Sequence, residues 1–186
     1  MISYLNLGIV GALTHLFQFV FIRMIALLYY VCQRASINFA KVGGKWFLED
    51  GFMDDETIGR ILSESRTIAV VGLSPKEDRP SHRVASYLIS QGFRVIPIHP
   101  KATEILGQRA YPSLEDVPDD IKIDVVDVFR KPQETPPIAR QAVKRGAKVL
   151  WLQEGIINEE AAKIASEGGL LVVMDRCMLK EHKRLI

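Results

Sequence analysis

Thr67-Ile68-Ala69-Val70-Val71-Gly72-Leu73-Ser74-Pro75 is an unbroken apolar run that ends in a Gly-Leu-Ser turn, and Asp78-Arg79-Pro80-Ser81 then leads into a helix-patterned segment. A strand without polar alternation is one buried on both faces, so it belongs in a parallel sheet covered by helices. Strand, tight turn and helix start in this order bring unpaired backbone N–H groups and the positive end of a helix dipole to one point. Such a point holds a phosphate, and so suits a nucleotide-bearing ligand. Gly72 lets the backbone turn sharply beside that phosphate and Ser74 offers it a hydroxyl, while Arg79, Ser81 and Arg83 stand where they can close over it. A side chain at position 72 is expected to block the approach while leaving the fold largely intact.

Outward from this stretch the pattern alternates. Helices are expected over residues 54–65, 81–91, 136–144 and 158–167, and strands over 67–72, 93–98, 123–129, 147–152 and 170–174. Asp54 and Asn158 cap the first and last of these helices, Gly92 and Gly146 stop two others, and Pro136 and Pro137 fit only in a first helical turn. A short helix is expected at Ser113-Leu114-Glu115-Asp116. Strand and helix in regular alternation predict an α/β, doubly wound, Rossmann-like parallel sheet of about five strands.

In an open parallel sheet, ligands bind beyond the carboxyl ends of the strands, near the reversal of strand order. After the second strand those ends hold His99-Pro100-Lys101. The third gives Phe129-Arg130-Lys131-Pro132, the fourth Gln153-Glu154-Gly155 and the fifth Asp175-Arg176-Cys177. Gln153 follows a strongly apolar strand and should face the crevice. Asp175, Arg176 and Cys177 read most simply as a buried polar cluster of structural use, and His82 and His182 as structural or exposed. A nicotinamide-dinucleotide fold carries an acid for the adenosine ribose after its second strand. Here Lys101 stands there instead, and a lysine prefers a phosphate to a bare pair of hydroxyls.

Charge narrows the function. The chain has 24 basic and 22 acidic residues; residues 1–52 hold Arg23, Arg34, Lys41 and Lys45 against Glu49 and Asp50, which leaves 20 of each sign in 53–186. A neutral domain has no global field for nucleic acid. The two cysteines, Cys32 and Cys177, show no metal-site or disulfide spacing, which fits a reducing, cytosolic compartment. There is no Gly-x-Ser-x-Gly elbow, Walker lysine motif, HExxH or cysteine with a clear base, so no metal site or catalytic engine is visible.

Residues 1–52 are unlike the rest and read as an apolar, helical N-terminal extension. In 4–31 only Arg23 is always charged, and about 20 mostly apolar residues suffice to cross a bilayer. Arg34, Lys41 and Lys45 follow the span and no basic residue precedes it, which would leave the C-terminal domain in the cytoplasm. The other account is an upstream start codon wrongly chosen, with the functional protein beginning at Met53, which can pack on Ile58 as a staple across the Asp54 cap. Residues 53–186 are expected to form the ligand-binding domain under either account.

Read together, Gly72-Leu73-Ser74 with Asp78-Arg79-Pro80-Ser81, Ile98-His99-Pro100, Tyr111-Pro112-Ser113-Leu114, the run Asp124-Val125-Val126-Asp127-Val128-Phe129-Arg130, Trp151-Leu152-Gln153 with Gly155, and Met174-Asp175-Arg176-Cys177 with Glu181-His182 resemble the stand-alone CoA-binding proteins of the YccU type. These are single Rossmann-like domains similar to the CoA-binding domain of the succinyl-CoA synthetase alpha subunit. The resemblance spans residues 53–186. It implies that Gly72, Leu73 and Ser74 hold the CoA diphosphate, that Arg79 covers it, and that Lys101 lies near the adenosine 3′-phosphate. Phe129, Arg130 and Pro132 would flank the adenine and the pantetheine entrance. Glu154-Gly155-Ile156 resembles a turn of the synthetase subunit whose catalytic phosphohistidine has no counterpart here, and His99 stands where asparagine is common.

The expected function is therefore binding of coenzyme A or an acyl-CoA, without catalysis of its own. Two alternatives stay open. An NAD(P)-binding redox domain is weakened by the missing GxGxxG and ribose acid, although NADP tolerates Lys101; a membrane-tethered scaffold that has lost its ligand is the other.

Overall fold

The structure, a computed structural model, describes residues 39–42, 45–48 and 53–186. By contacts the chain divides into two units, Met1–Gly51 and Phe52–Ile186. In the first, Phe39–Val42 pairs antiparallel with Lys45–Leu48. The apolar segment 4–31 lies outside the described residues, and among the described residues no helix is long and apolar enough to cross a membrane.

The second unit opens with α1 (Asp55–Glu64), capped where the Thr57 amide donates to Asp54 at 2.7 Å. Strand β1 (Thr67–Val71) follows, then α2 (Pro80–Ser90) and β2 (Arg94–Ile98). After an excursion come β3 (Val125–Val128), α3 (Thr135–Lys144) and β4 (Val149–Leu152). The chain ends with α4 (Glu159–Glu167), β5 (Leu171–Val173) and α5 (Met178–Leu185). Pro136 and Pro137 sit in the first turn of α3, where a missing N–H costs no helical hydrogen bond. Three pieces of this unit have no counterpart in the expected elements: α5, a single 3-10 turn at Pro132–Glu134, and a small hairpin pairing Glu104–Ile105 with Gln108–Arg109.

The five strands form one parallel sheet in the order β2-β1-β3-β4-β5. Alternate residues point to opposite faces, and both faces are covered. Ala69, Val71, Val126, Val128, Leu150 and Leu152 pack with Ile138, Ala139 and Ala142 of α3 and Ala161 and Ala165 of α4. Ile68, Val70, Val125, Val149 and Trp151 pack with Ile58, Ile61 and Leu62 of α1, Val84, Ala85 and Leu88 of α2, and Met178 of α5. The fold is thus α/β and Rossmann-like, as expected. Its strand order reverses between β1 and β3, and a crevice opens beyond their carboxyl ends.

Candidate functional site

Gly72 ends β1 with φ +85°, a conformation L side chains rarely adopt, and its N–H donates to the Ile98 carbonyl at 3.0 Å. A Cβ built there would stand 2.7 Å from the Phe129 carbonyl oxygen and 2.9 Å from Arg130 Cδ. Glycine is what lets the loops after β1 and β3 touch. Beyond it the Ser74 N–H donates to Ser81 Oγ at 3.0 Å, and the Lys76 N–H donates to Ser74 Oγ at 3.2 Å. Two hydroxyls therefore fix the turn as acceptors and keep their own protons free for a ligand oxygen. Helix α2 starts beside them with Pro80 in its first turn and no side-chain cap at Arg79, so its positive end is left uncompensated.

These loops wall a cleft of about 1060 Å³, at the upper limit of the roughly 300–1,000 Å³ usual for small-ligand sites. Gly72, Ser74, Arg79 and Ser81 line it from the first loop, His99 from the second, Phe129, Arg130 and Pro132 from the third and Gln153 from the fourth. Four other expected residues are placed differently. Leu73 is fully buried, its side chain packed in the core on the α1, α2 and α5 face, so only its backbone belongs to the turn. Pro100, Lys101 and Gly155 are exposed and outside the lining. The Gly155 N–H donates to Asp175 at 2.6 Å.

His99 has a structural task. Its Nδ1 accepts the Ala102 N–H at 2.9 Å and the Lys101 N–H at 3.2 Å, which puts the ring proton on Nε2. A side-chain acceptor that holds the following backbone amides is what an asparagine supplies in an Asx turn. Histidine thus does for this loop what an asparagine would do.

Asp175, Arg176 and Cys177 do not make the buried cluster expected of them. Asp175 is exposed, in the left-handed region at φ +54°, and Arg176 and Cys177 are half-buried. His182 is structural: it is buried, shares a 2.9 Å hydrogen bond with the Tyr87 hydroxyl and meets Tyr87 and Phe93 edge to face. Burial lowers its pKa.

Charge at the cleft is one-sided. Lys76, Arg79, Arg83, Arg130, Lys131 and Lys180 line it against Glu154. Arg130 pairs with Glu134 and Lys180 with Glu154, at 2.7 and 2.6 Å. Lys76, Arg79, Arg83 and Lys131 have no ion-pair partner among the described residues, which suits them to a polyanion. Apolar wall comes from Val84, Phe129, Ile156 and Leu179. Lys76, Val84, Leu179 and Lys180 were not legible as site residues in the sequence, because the curvature of the first loop, the facing of α2 and the packing of α5 bring them in. Beneath the cleft floor, burial pushes the carboxyl of Asp127 up to about 7. Among the described residues no cluster of His, Cys, Asp and Glu could hold a metal ion.

A donor-rich turn, an uncapped helix start, unpaired cations and an apolar wall in one cleft fit a ligand with a diphosphate and a long uncharged arm, as CoA has. Over 125 residues, 67% of this chain and 91% of the relative, the sequence is 41% identical to YneT of Bacillus subtilis. A solved structure of a hypothetical protein from Pyrococcus horikoshii OT3 is 47% identical with a TM-score of 0.69, over 72% of this chain and 92% of that one. Acetate–CoA ligase (ADP-forming) II of Archaeoglobus fulgidus is 27% identical over 106 residues, 56% of this chain but 16% of the ligase. Residues 66–183 match the CoA binding domain family, and the chain belongs to that family.

Proposed function

We propose that this protein binds coenzyme A or an acyl-CoA in the cleft between β1 and β3 and presents it without chemistry of its own. The observation that carries this reading is the turn from Gly72 to Ser81, with its two stitched hydroxyls and the start of α2, surrounded by four cations that lack counterions among the described residues. Gly72, Leu73, Ser74, Arg79 and Ser81 take the diphosphate in this reading. Phe129, Arg130, Pro132 and Gln153 take the adenine and pantetheine side, and Lys101, outside the cleft, reaches a 3′-phosphate that projects from it. Absence of catalysis follows the sequence, which shows no recognisable catalytic motif; within the cleft the one lining acid, Glu154, is tied to Lys180, and His99 is engaged with its own loop.

Calorimetry on the full chain with CoA, acetyl-CoA, NAD and NADP tests the assignment. CoA should bind tighter than either nicotinamide dinucleotide, since His99 is engaged with its own loop and no acid is available for the ribose diol. Equal or stronger NAD affinity sinks it. Acetyl-CoA held with the protein should keep its thioester.

A further inference from the structure

We propose that Asp127 sets the hydrogen-bonding polarity of the cleft floor through Gln153, so that the floor accepts a hydrogen bond from a ligand N–H or O–H and binding is linked to a proton. This deepens the CoA reading and rests on it for the ligand.

Asp127 lies inside the sheet, paired in register with Val70 of β1 and Trp151 of β4, and is fully buried. Strand alternation puts its side chain on the face of Val70, Val125 and Trp151. Its Oδ1 accepts the Gln153 Nε2–H at 2.8 Å, while its Oδ2 has no partner. A buried carboxyl oxygen left unsatisfied is costly and calls for a reason. Gln153 supplies one, for it is 3% exposed yet lines the cleft. With Nε2 committed to Asp127, the amide oxygen Oε1 is the acceptor it has left for a ligand.

Among the described residues no charged group pairs with Asp127. Val70, Trp151 and the α1 residues Ile58, Ile61 and Leu62 are not titratable. On the same face, His182 of α5 is engaged with Tyr87 of α2, and Cys177 precedes α5. The cleft cations Lys76, Arg79, Arg83, Arg130, Lys131 and Lys180 form no ion pair with it. Desolvation therefore dominates its titration, opposed only by hydrogen bonding from the Gln153 amide and the Val128 N–H, and at about 7 both charge states are populated near neutrality.

The two states ask opposite things of Gln153. An ionised Asp127 only accepts, so Gln153 turns its amide nitrogen inward and its oxygen to the cleft. A protonated Asp127 carries an O–H that needs an acceptor, and a half-turn of the Gln153 amide supplies Oε1 to it and presents the NH₂ to the cleft instead. A ligand donor, such as a carboxamide N–H of the pantetheine arm, selects the ionised form. Binding then lowers the Asp127 pKa, releases a proton near neutral pH, and weakens as pH falls.

The test has two arms on the full chain. CoA is titrated calorimetrically across neutral pH in buffers of different ionisation heat, for the natural protein and Asp127→Asn. The natural protein should release a proton and lose affinity on acidification, by at most about tenfold per pH unit, the limit for one proton. Asp127→Asn should lose that release and flatten the profile relative to the natural protein. Separately, nuclear magnetic resonance of the unliganded natural protein should show the Gln153 side-chain amide signals moving with the Asp127 carboxyl titration. If CoA binds with the same proton release in both proteins, or the Gln153 signals ignore Asp127, the inference is overturned and the CoA reading stands. If CoA does not bind at any pH, that reading falls, and the resonance arm alone decides whether Asp127 governs Gln153.

Discussion

Gly72 and Phe129 are in backbone contact: a methyl group at position 72 would come within 2.7 Å of the Phe129 carbonyl, which no flexible side chain can relieve. The glycine therefore serves the fold as well as the ligand, contrary to the expectation that a side chain there leaves the fold largely intact. Gly72→Val combines a positive φ with a backbone clash and should lower stability by about 1–3 kcal/mol or more, together with CoA affinity. Denaturant unfolding read beside calorimetry checks this. Normal stability with lost affinity would restore the view that only the ligand needs Gly72.

Arg79 gives a cleaner probe of the anion site, being exposed, without an ion pair among the described residues and in the cleft lining. Arg79→Ala should leave stability unchanged and cost about 1.5–3 kcal/mol of CoA binding, the range for a hydrogen bond to a charged group. Lys101→Ala should cost less and narrow the preference for CoA over 3′-dephospho-CoA. If that preference is unchanged, Lys101 does not read the 3′-phosphate.

The contrast between those two residues shows what the sequence could and could not say. Thr67–Val71 and Val149–Leu152 were legible as buried strands because a parallel sheet covered on both faces demands unbroken apolar runs. The loops following them were legible as the walls of a cleft because the topology puts every strand's carboxyl end on one edge. Where a loop side chain points was not. His99, Pro100 and Lys101 are consecutive, yet only His99 lines the cleft, since its ring folds back onto the loop it caps. Helix α5 was illegible for another reason: in Met178-Leu-Lys-Glu-His-Lys-Arg-Leu185 only Met178 and His182 are buried, so a four-residue spacing within a charged run is its whole signal. With α5 unseen, Leu179 and Lys180 could not be placed at the cleft.

Two aspartates should shape stability against pH in opposite directions. Burial raises the pKa of Asp124, but hydrogen bonds from Lys148 and the Thr67 and Arg66 amides outweigh it and hold the carboxyl below its ordinary value. Its contribution is present above an unfolded pKa of about 3.9 and is lost as pH falls through the lower folded value. Asp127 is raised, so its contribution is full below about 3.9 and is lost as pH climbs through about 7. Thermal unfolding should show Asp127→Asn gaining on the natural protein above neutrality and not in acid. Asp124→Ala should be destabilised by about 1–3 kcal/mol at neutral pH, because two amides at the start of β1 lose their acceptor. A stability profile for Asp127→Asn parallel to that of the natural protein would show that Asp127 does not titrate with folding.

Residues 53–186 should separate from the rest as a folding unit. The Asp54 carboxylate closes the start of α1 on Thr57 with bonds of 2.7 and 3.1 Å, and Met53 packs against the cluster that holds Ile58, so the first turn is complete from Met53 onward. Arg184 grips Asp55 through two hydrogen bonds of 2.5 and 2.6 Å, fastening α1 to α5 at the far end of the domain. Helix α1 is therefore needed, since Ile58, Ile61 and Leu62 cover one face of the sheet. A chain starting at Met53 should be soluble, monodisperse and cooperatively folded; one starting at Arg66 should not be. The full chain should partition into detergent or membrane through residues 4–31. Peptide mapping of the protein from its own cell then tells an anchor from a misplaced start: peptides preceding Met53 support an anchor with its domain in the cytoplasm, and an N-terminus at or just after Met53 dismisses it. Insolubility of the Met53 chain, cured by restoring residues 1–52, would refute separability under either account.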